Sequence, residues 1–326
     1  MRGERGSAVF KLFKNNKAKK AKRGDVKPPE NIEIISKPEP NACGGTYAYR
    51  DHDLKKTVES RDVVYFSATS ALGNYMDPNE RLGWVSAFAV KAQVGSFVFL
   101  GTSKYSGGRA PSEKRWALVK EDVFPRLADL TENLKLAEHN GYFSRTAGLP
   151  EDFGGSVEIK YASGERIAFS DNQSPILRSE QGREIAALFK ELLTLEPVHL
   201  PSADGIREVR FCEKRKDGGF TETRLTIDPD GSGENVKKQR FSEPRIYESS
   251  KRVEKETVDK IRETVSGKGL LIWAYLPDSG YEPLSEKTLT FVFDSGEEIT
   301  VKDARAVPDP LRGAFFDVEL ELTTKN

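Results

Sequence analysis

Residues 156–172 read SVEIKYASGERIAFSDN, and residues 288–304 read TLTFVFDSGEEITVKDA. At this offset of 132, Ser163, Gly164, Glu165, Ile167 and Asp171 are identical to Ser295, Gly296, Glu297, Ile299 and Asp303. Apolar positions also match, from Val157/Leu289 through Phe169/Val301. Each copy alternates apolar and polar residues on both sides of a Ser-Gly pair. That pattern describes two antiparallel strands joined by a tight turn, with glycine supplying the positive φ. A repeated strand pair sets the domain count and gives every other motif an internal control.

Working outward from the first hairpin, RDVVYFSATS (61–70) reads as a strand. WVSAFAVKA (84–92) and SFVFLGTS (96–103) read as a hairpin turning at Val94-Gly95. Over Lys120–Glu138, residues Val123, Leu127, Leu130, Leu134 and Ala137 recur at spacings of three and four, which predicts a helix stopped by Gly141. After the hairpin, Ile185, Leu188, Phe189 and Leu192 give an apolar face to a helix over Ser179–Leu193.

Thr194–Asp204, with Pro197 and Pro201, reads as a connector. Beyond it, REVRFCEK (207–214) aligns with RDVVYFSA (61–68), placing Tyr65 on Phe211. ETRLTID (222–228) is the next strand, and Val253–Val265 a helix whose KETV echoes KEDV at 120–123. The final LRGAFFDVELEL fits both periods, as Phe316/Val318/Leu320/Leu322 in a strand or Leu311/Ala314/Phe315/Val318/Leu322 in a helix. The helix in the first copy decides for helix.

The expected fold is therefore α+β, with two tandem homologous domains. Each is a mainly antiparallel sheet with two packed helices. The expected units are a basic tail and Pro-rich linker over 1–42, a first repeat domain over 43–195 and a second over 205–326.

A chain of 326 residues is long enough for two domains. No apolar run approaches the roughly 18 residues needed to span a bilayer, and no export leader is evident. The two cysteines, Cys43 and Cys212, form no disulfide framework, and Cys212 is expected to be a small buried side chain. These features point to the cytoplasm. The net charge of zero conceals an asymmetry. Residues 1–27 hold ten basic and two acidic residues, +8, which leaves −8 on the rest. So lysine-rich a segment is expected to be disordered. Lys17, Lys19, Lys20, Lys22 and Arg23 are its densest cluster and the candidate contact for an anionic surface, either a membrane or a nucleic acid. The alternative is a solvated tail without a ligand.

The remaining motifs each have a bland structural explanation. Glu165 and Glu297 could be paired acids, but the turn already explains the Ser-Gly identity. Asp228-Pro229-Asp230-Gly231-Ser232 resembles the start of a calcium loop, yet position twelve is Gln239 and the flanks read as strand. Cys43 with Arg50-Asp51-His52-Asp53 is the densest group of reactive residues, against a plain solvated loop. His139 and His199 add no zinc spacing. Trp84, Trp116 and Trp273 read as core. No phosphate-binding, dinucleotide, HExxH or GxSxG motif occurs. The expectation is a cytoplasmic binding or adaptor protein with no catalytic set, cofactor or metal. Its folded domains would meet a protein partner. The alternatives are tethering to an anionic surface by the tail, or an enzyme using the 43–53 cluster.

Overall fold

The computed structural model describes residues 29–37, 44–70, 84–93, 95–105, 113–149, 154–241, 245–279, 283–303, 305 and 313–323. The fold is mixed α+β, with two sheets of nine and six strands.

The first sheet contains β1 (Ile32–Ser36), β2 (Thr46–Asp51), β3 (Val63–Ser70), β4 (Trp84–Lys91), β5 (Val98–Tyr105), β6 (Glu113–Val119), β7 (Tyr142–Thr146), β8 (Ser156–Tyr161) and β9 (Arg166–Asp171). Helix α1 (Phe124–Asn133) follows β6, and α2 (Ser179–Leu192) follows β9. The second sheet contains β10 (Ile206–Arg215), β11 (Phe220–Ile227), β12 (Gly233–Arg240), β13 (Ile246–Val253), β14 (Ser285–Phe293) and β15 (Glu298–Lys302). Helix α3 (Lys255–Gly267) follows β13, and α4 (Ala314–Thr323) ends the described chain.

Across the sheets the strand orders are β1-β2-β7-β9-β8-β3-β4-β5-β6 and β13-β12-β11-β10-β14-β15. Read from the opposite end, the last six strands of the first order match the second order element for element. In both halves a helix and a 3-10 turn (Leu136–His139, Leu270–Tyr275) precede the repeated hairpin, and a helix follows it. Strands β1, β2 and β7 have no counterpart. They extend the first sheet past β9, to which β7 pairs in parallel.

The hairpin turns are alike in detail. Tyr161 N–H donates to Glu165 O (3.1 Å) and Phe293 N–H to Glu297 O (3.0 Å), with Gly164 and Gly296 at φ +88° and +84°. Ala162 N–H reaches Asp62 O, and Asp294 N–H reaches Gly205 O, both at 2.8 Å. Asp62 therefore corresponds to Gly205. A register shift follows at the same place in each half, between Val63 and Tyr65 and between Ile206 and Glu208.

This register corrects the pairing of Tyr65 with Phe211. The buried residues Val63, Phe66 and Ala68 correspond to Ile206, Val209 and Phe211, three positions away from the sequence alignment. An odd slip moves every side chain to the other face, so the corrected register is the one that keeps both cores apolar.

The helices also differ from expectation. In place of one helix over 120–138, α1 opens with Pro125 in its first turn, where the missing N–H costs nothing. It ends before Lys135, which is left-handed at φ 51°, and the chain continues as the 3-10 turn. Val253 ends β13 and caps no helix; α3 begins at Lys255. The C-terminal segment is a helix, as expected, and buries Ala314, Phe315, Val318 and Leu322. Phe316 and Leu320 lie on its exposed side.

One face of the first sheet packs against α1 and α2, around Phe66, Leu100, Val119, Leu127, Ile185 and Phe189. The opposite face of β4, β5 and β6 is also buried. Phe88, Val90, Phe99 and Leu118 lie in one continuous core with Leu270–Trp273, Val209, Phe291 and Phe315 of the second half. Burial on both faces explains the unbroken apolar runs AFAV and FVFL, which a half-exposed strand would not carry.

Polar bonds fix the same junction. Gln93 N–H donates to Tyr275 O (2.8 Å), Arg305 Nη1 to Gln93 Oε1 (2.8 Å), and Val198 N–H to Leu118 O (2.6 Å). Phe97 meets Tyr275 edge to face, with centroids 5.6 Å apart. Gly269, left-handed at φ 59°, brings its backbone so close to Trp116 that a Cβ there would stand 2.8 Å from Nε1.

Among the described residues, no helix packs on the corresponding face of the second sheet. Glu208 lies buried on it, gripped by Arg210 and Arg224, with Arg210 also 3.3 Å from Glu298. Thr290 and Thr300 bond to each other at 2.8 Å beside them.

Candidate functional site

Lys17, Lys19, Lys20, Lys22, Arg23 and Cys43 lie outside the described residues. The rest of the 43–53 cluster sits on an outer strand pair. β1 and β2 pair with Glu33 opposite Arg50, and His52 Nε2 stands 3.1 Å from Glu33 Oε2, both side chains being exposed. Asn31 Nδ2 bonds Asp51 Oδ1 (3.3 Å) and Asp53 Oδ2 (2.7 Å). The two carboxylates are thus committed to the Asn31 turn, and His52 points away from them to Glu33.

The Asp228–Ser232 segment is the β11–β12 hairpin loop. Gly231 has φ +87°, Asp228 Oδ2 meets Arg252 Nη1 at 2.5 Å, and Asp230 Oδ1 accepts from Ser232 N–H at 2.9 Å. A guanidinium and a turn N–H thus occupy one oxygen of each of these carboxylates. Among the described residues, no group of three His, Cys, Asp or Glu is arranged to hold a metal.

The two hairpin acids have parted. Glu165 accepts from the N–H groups of Glu59 (3.0 Å) and Ser60 (3.1 Å) and from the Ser163 hydroxyl (2.8 Å). The Glu59 N–H, then the Ser163 hydroxyl, hold its carboxyl below the usual range. It fastens the 52–62 loop to the turn. Glu297 instead lines a shallow groove of about 440 Å³ between connector and turn, with His199, Tyr275 and Asp294.

Trp273 is buried and stacks on Phe315, centroids 6.1 Å apart, and Trp116 packs at the junction of the halves. The side chain of Trp84 lies outside the described residues. Cys212 is half-buried on the helix-free face of the second sheet, opposite Glu222 and Thr288. Burial, then Glu222, pushes its thiol up, away from the thiolate that chemistry would need.

A different surface gathers the most distinctive side chains. At the end of the second sheet where β10 turns into β11 and β12 into β13, three arginines lie over three rings. Arg240 stands 5.2 Å from the Phe220 ring centre, Arg215 5.7 Å from Phe241 and Arg245 5.3 Å from Tyr247. Phe241 and Tyr247 meet edge to face at 6.0 Å.

Strand register builds this surface. Phe220 pairs with Arg240 across β11–β12, and Arg240 with Ile246 across β12–β13. Arg215 Nη2 donates to Arg240 O (3.0 Å), and Arg240 Nη2 to Gly218 O (2.6 Å), so the turns hold two of the three guanidinium groups in place. Phe241, Ile246 and Tyr247 are nonetheless 49%, 55% and 41% exposed. The patch offers guanidinium donors beside two partly exposed rings, Phe241 and Tyr247, a combination suited to an anion with a planar group attached.

Sequence reasoning missed it because three separated segments contribute. The available signal was arginine beside an aromatic ring at Arg240-Phe241 and Arg245-Ile246-Tyr247. No family model matches the chain. No curated protein matches it by sequence.

Proposed function

We propose that this chain is a cytoplasmic, non-catalytic binding protein built from two copies of one α+β unit. Its contact surface is the arginine–aromatic patch of the second sheet. The duplication is supported by the matching strand order, the hairpin bonds from Ala162 and Asp294, and the register shift at equivalent positions. The binding role rests on one observation: three arginine–ring pairs at one sheet end, two of whose rings, Phe241 and Tyr247, are exposed.

That chemistry fits a single-stranded nucleic acid. Guanidinium groups meet phosphates, and a base stacks on an exposed ring for about 1–3 kcal/mol. This reading sets an anionic contact on the folded body, beside the one expected of the tail cluster Lys17–Arg23. Among the described residues no helix is long and apolar enough to cross a membrane.

Fluorescence anisotropy with a labelled 20-nucleotide poly(dT) strand tests the proposal. Phe241→Ala with Tyr247→Ala should weaken binding about tenfold or more. Heparin binding should weaken with Arg245→Ala and be indifferent to the two ring substitutions. Equal affinity of wild type and ring variant for the oligonucleotide would refute the assignment.

A further inference from the structure

The second sheet ends in a strand unlike an ordinary edge. Natural edges are short, bulged, broken by proline or guarded by charged side chains, and of these devices β13 carries only the charges Glu248, Lys251 and Arg252. β13 runs eight residues, Ile246–Val253, in unbroken register with β12, and five successive residues from Ile246 to Ser250 are exposed. Among the described residues no strand pairs with its outer side.

We infer that β13 pairs with β13 of a second copy, antiparallel about a two-fold axis through Ser250. The register follows from symmetry and charge. Two antiparallel strands related by a two-fold axis must have that axis perpendicular to the sheet, so each residue faces one pointing to the same side of the sheet. Only dyads centred on a residue satisfy this. Centring on Glu248 sets Glu248 against itself, and centring on Lys251 does the same for lysine; like charges directly opposed are destabilising. Centring on Ser249 removes the clash but sets Glu248 against Ser250, and no acid faces a base.

Centring on Ser250 sets Glu248 opposite Arg252 twice, Tyr247 opposite Val253 twice, and a small hydroxyl opposite its own copy. Arg252 then stands between Asp228 of its own chain, 2.5 Å away, and Glu248 of the other. The result is one twelve-stranded sheet across two molecules. Its two patches would be eight strand positions apart, roughly 27 Å between the Ile246 Cα atoms.

The inference does not depend on the ligand, and its test contains none. Sedimentation velocity of the full chain should show a concentration-dependent dimer. In a background of Cys43→Ser and Cys212→Ser, Ser250→Cys should form an intermolecular disulfide under mild oxidation. Opposed residues lie about 4.5–5.5 Å apart between Cα atoms, within disulfide reach. Ser249→Cys should not cross-link, because that residue lies about 8 Å from its copy in this register. Glu248→Lys should weaken the dimer about tenfold, since it turns both ion pairs into repulsions. A chain monomeric at every concentration would overturn the inference. So would a dimer that cross-links through residue 249 instead of 250, or through neither.

Discussion

Replacing Phe99 by alanine tests whether the two halves form one cooperative structure. Phe99 is fully buried on β5, against Phe88 at 5.1 Å between ring centres, in the core that includes Leu270–Trp273 of the second half. Truncating a buried phenylalanine costs about 3–5 kcal/mol, the transfer term plus the cavity left behind. At 1.4 kcal/mol per tenfold, the unfolded fraction should rise between about a hundredfold and a few thousandfold. A chain in the upper part of the ordinary range of about 5–15 kcal/mol survives this but is measurably weakened. The informative readout is amide exchange in strands that Phe99 does not belong to. Val209, Phe211, Leu289 and Phe291 on β10 and β14 should lose protection together with Phe66 and Ile159 on β3 and β8, because the lost contacts belong to both halves. Urea unfolding should remain a single transition, shifted as a whole. If β10 and β14 keep their wild-type exchange rates while β3 and β8 open, the continuous core carries no coupling and the reasoning fails.

Two further outcomes follow from local geometry. Gly164 and Gly269 both have positive φ, but a Cβ at Gly164 meets nothing within 4 Å whereas one at Gly269 meets Trp116 at 2.8 Å. Gly164→Ala should cost only the left-handed backbone term, about 1–2 kcal/mol, and Gly269→Ala should lower the melting temperature distinctly more; equal shifts would exclude the Trp116 contact as a constraint. Burial raises the Glu208 carboxyl, but hydrogen bonds from Arg224 and Arg210 outweigh it and hold the group below its ordinary value. A depressed carboxyl contributes stability that is present above its unfolded pKa, near 4.3, and lost as pH falls through the lower folded one. Acid unfolding of Glu208→Gln should therefore show a shallower fall of stability below about pH 4 than wild type, and an unchanged slope would mean the two arginines do not stabilise the ionised form.

Much of the fold was legible wherever period-two alternation met turn chemistry. The YASGE and FDSGE turns, the β4–β5 hairpin and α2 stand close to where the residue pattern placed them. The misses share a physical origin. β12 and β13, GENVKKQR and IYESSKRV, bury little besides Gly233, Asn235 and Val253, so they carry almost no apolar alternation. Asn235 holds its place through a side-chain bond to Leu322 O at 2.8 Å, which no local pattern reports. The alignment of β3 with β10 failed because Arg-x-Val recurs there three residues out of structural register. An identity score is indifferent to the two faces of a strand, while burial is not. The 43–53 cluster was sought as chemistry because its residues are neighbours in sequence. The arginine–aromatic patch escaped for the opposite reason, its parts being neighbours only after β10 to β13 have paired.

The helix-free faces of the two sheets have opposite fates, one covered by the other half and one left polar. Such packing is head to tail: the back of one unit receives the front of the next, and the relation could in principle continue without limit. If Glu208, Arg210 and Arg224 were apolar, as Phe88, Val90 and Phe99 are in the first half, every molecule would carry a receptive back and grow into filaments. The buried carboxylate between two arginines ends that series at two units. It gives the second sheet a face that a further half of the same kind could not cover without burying charge.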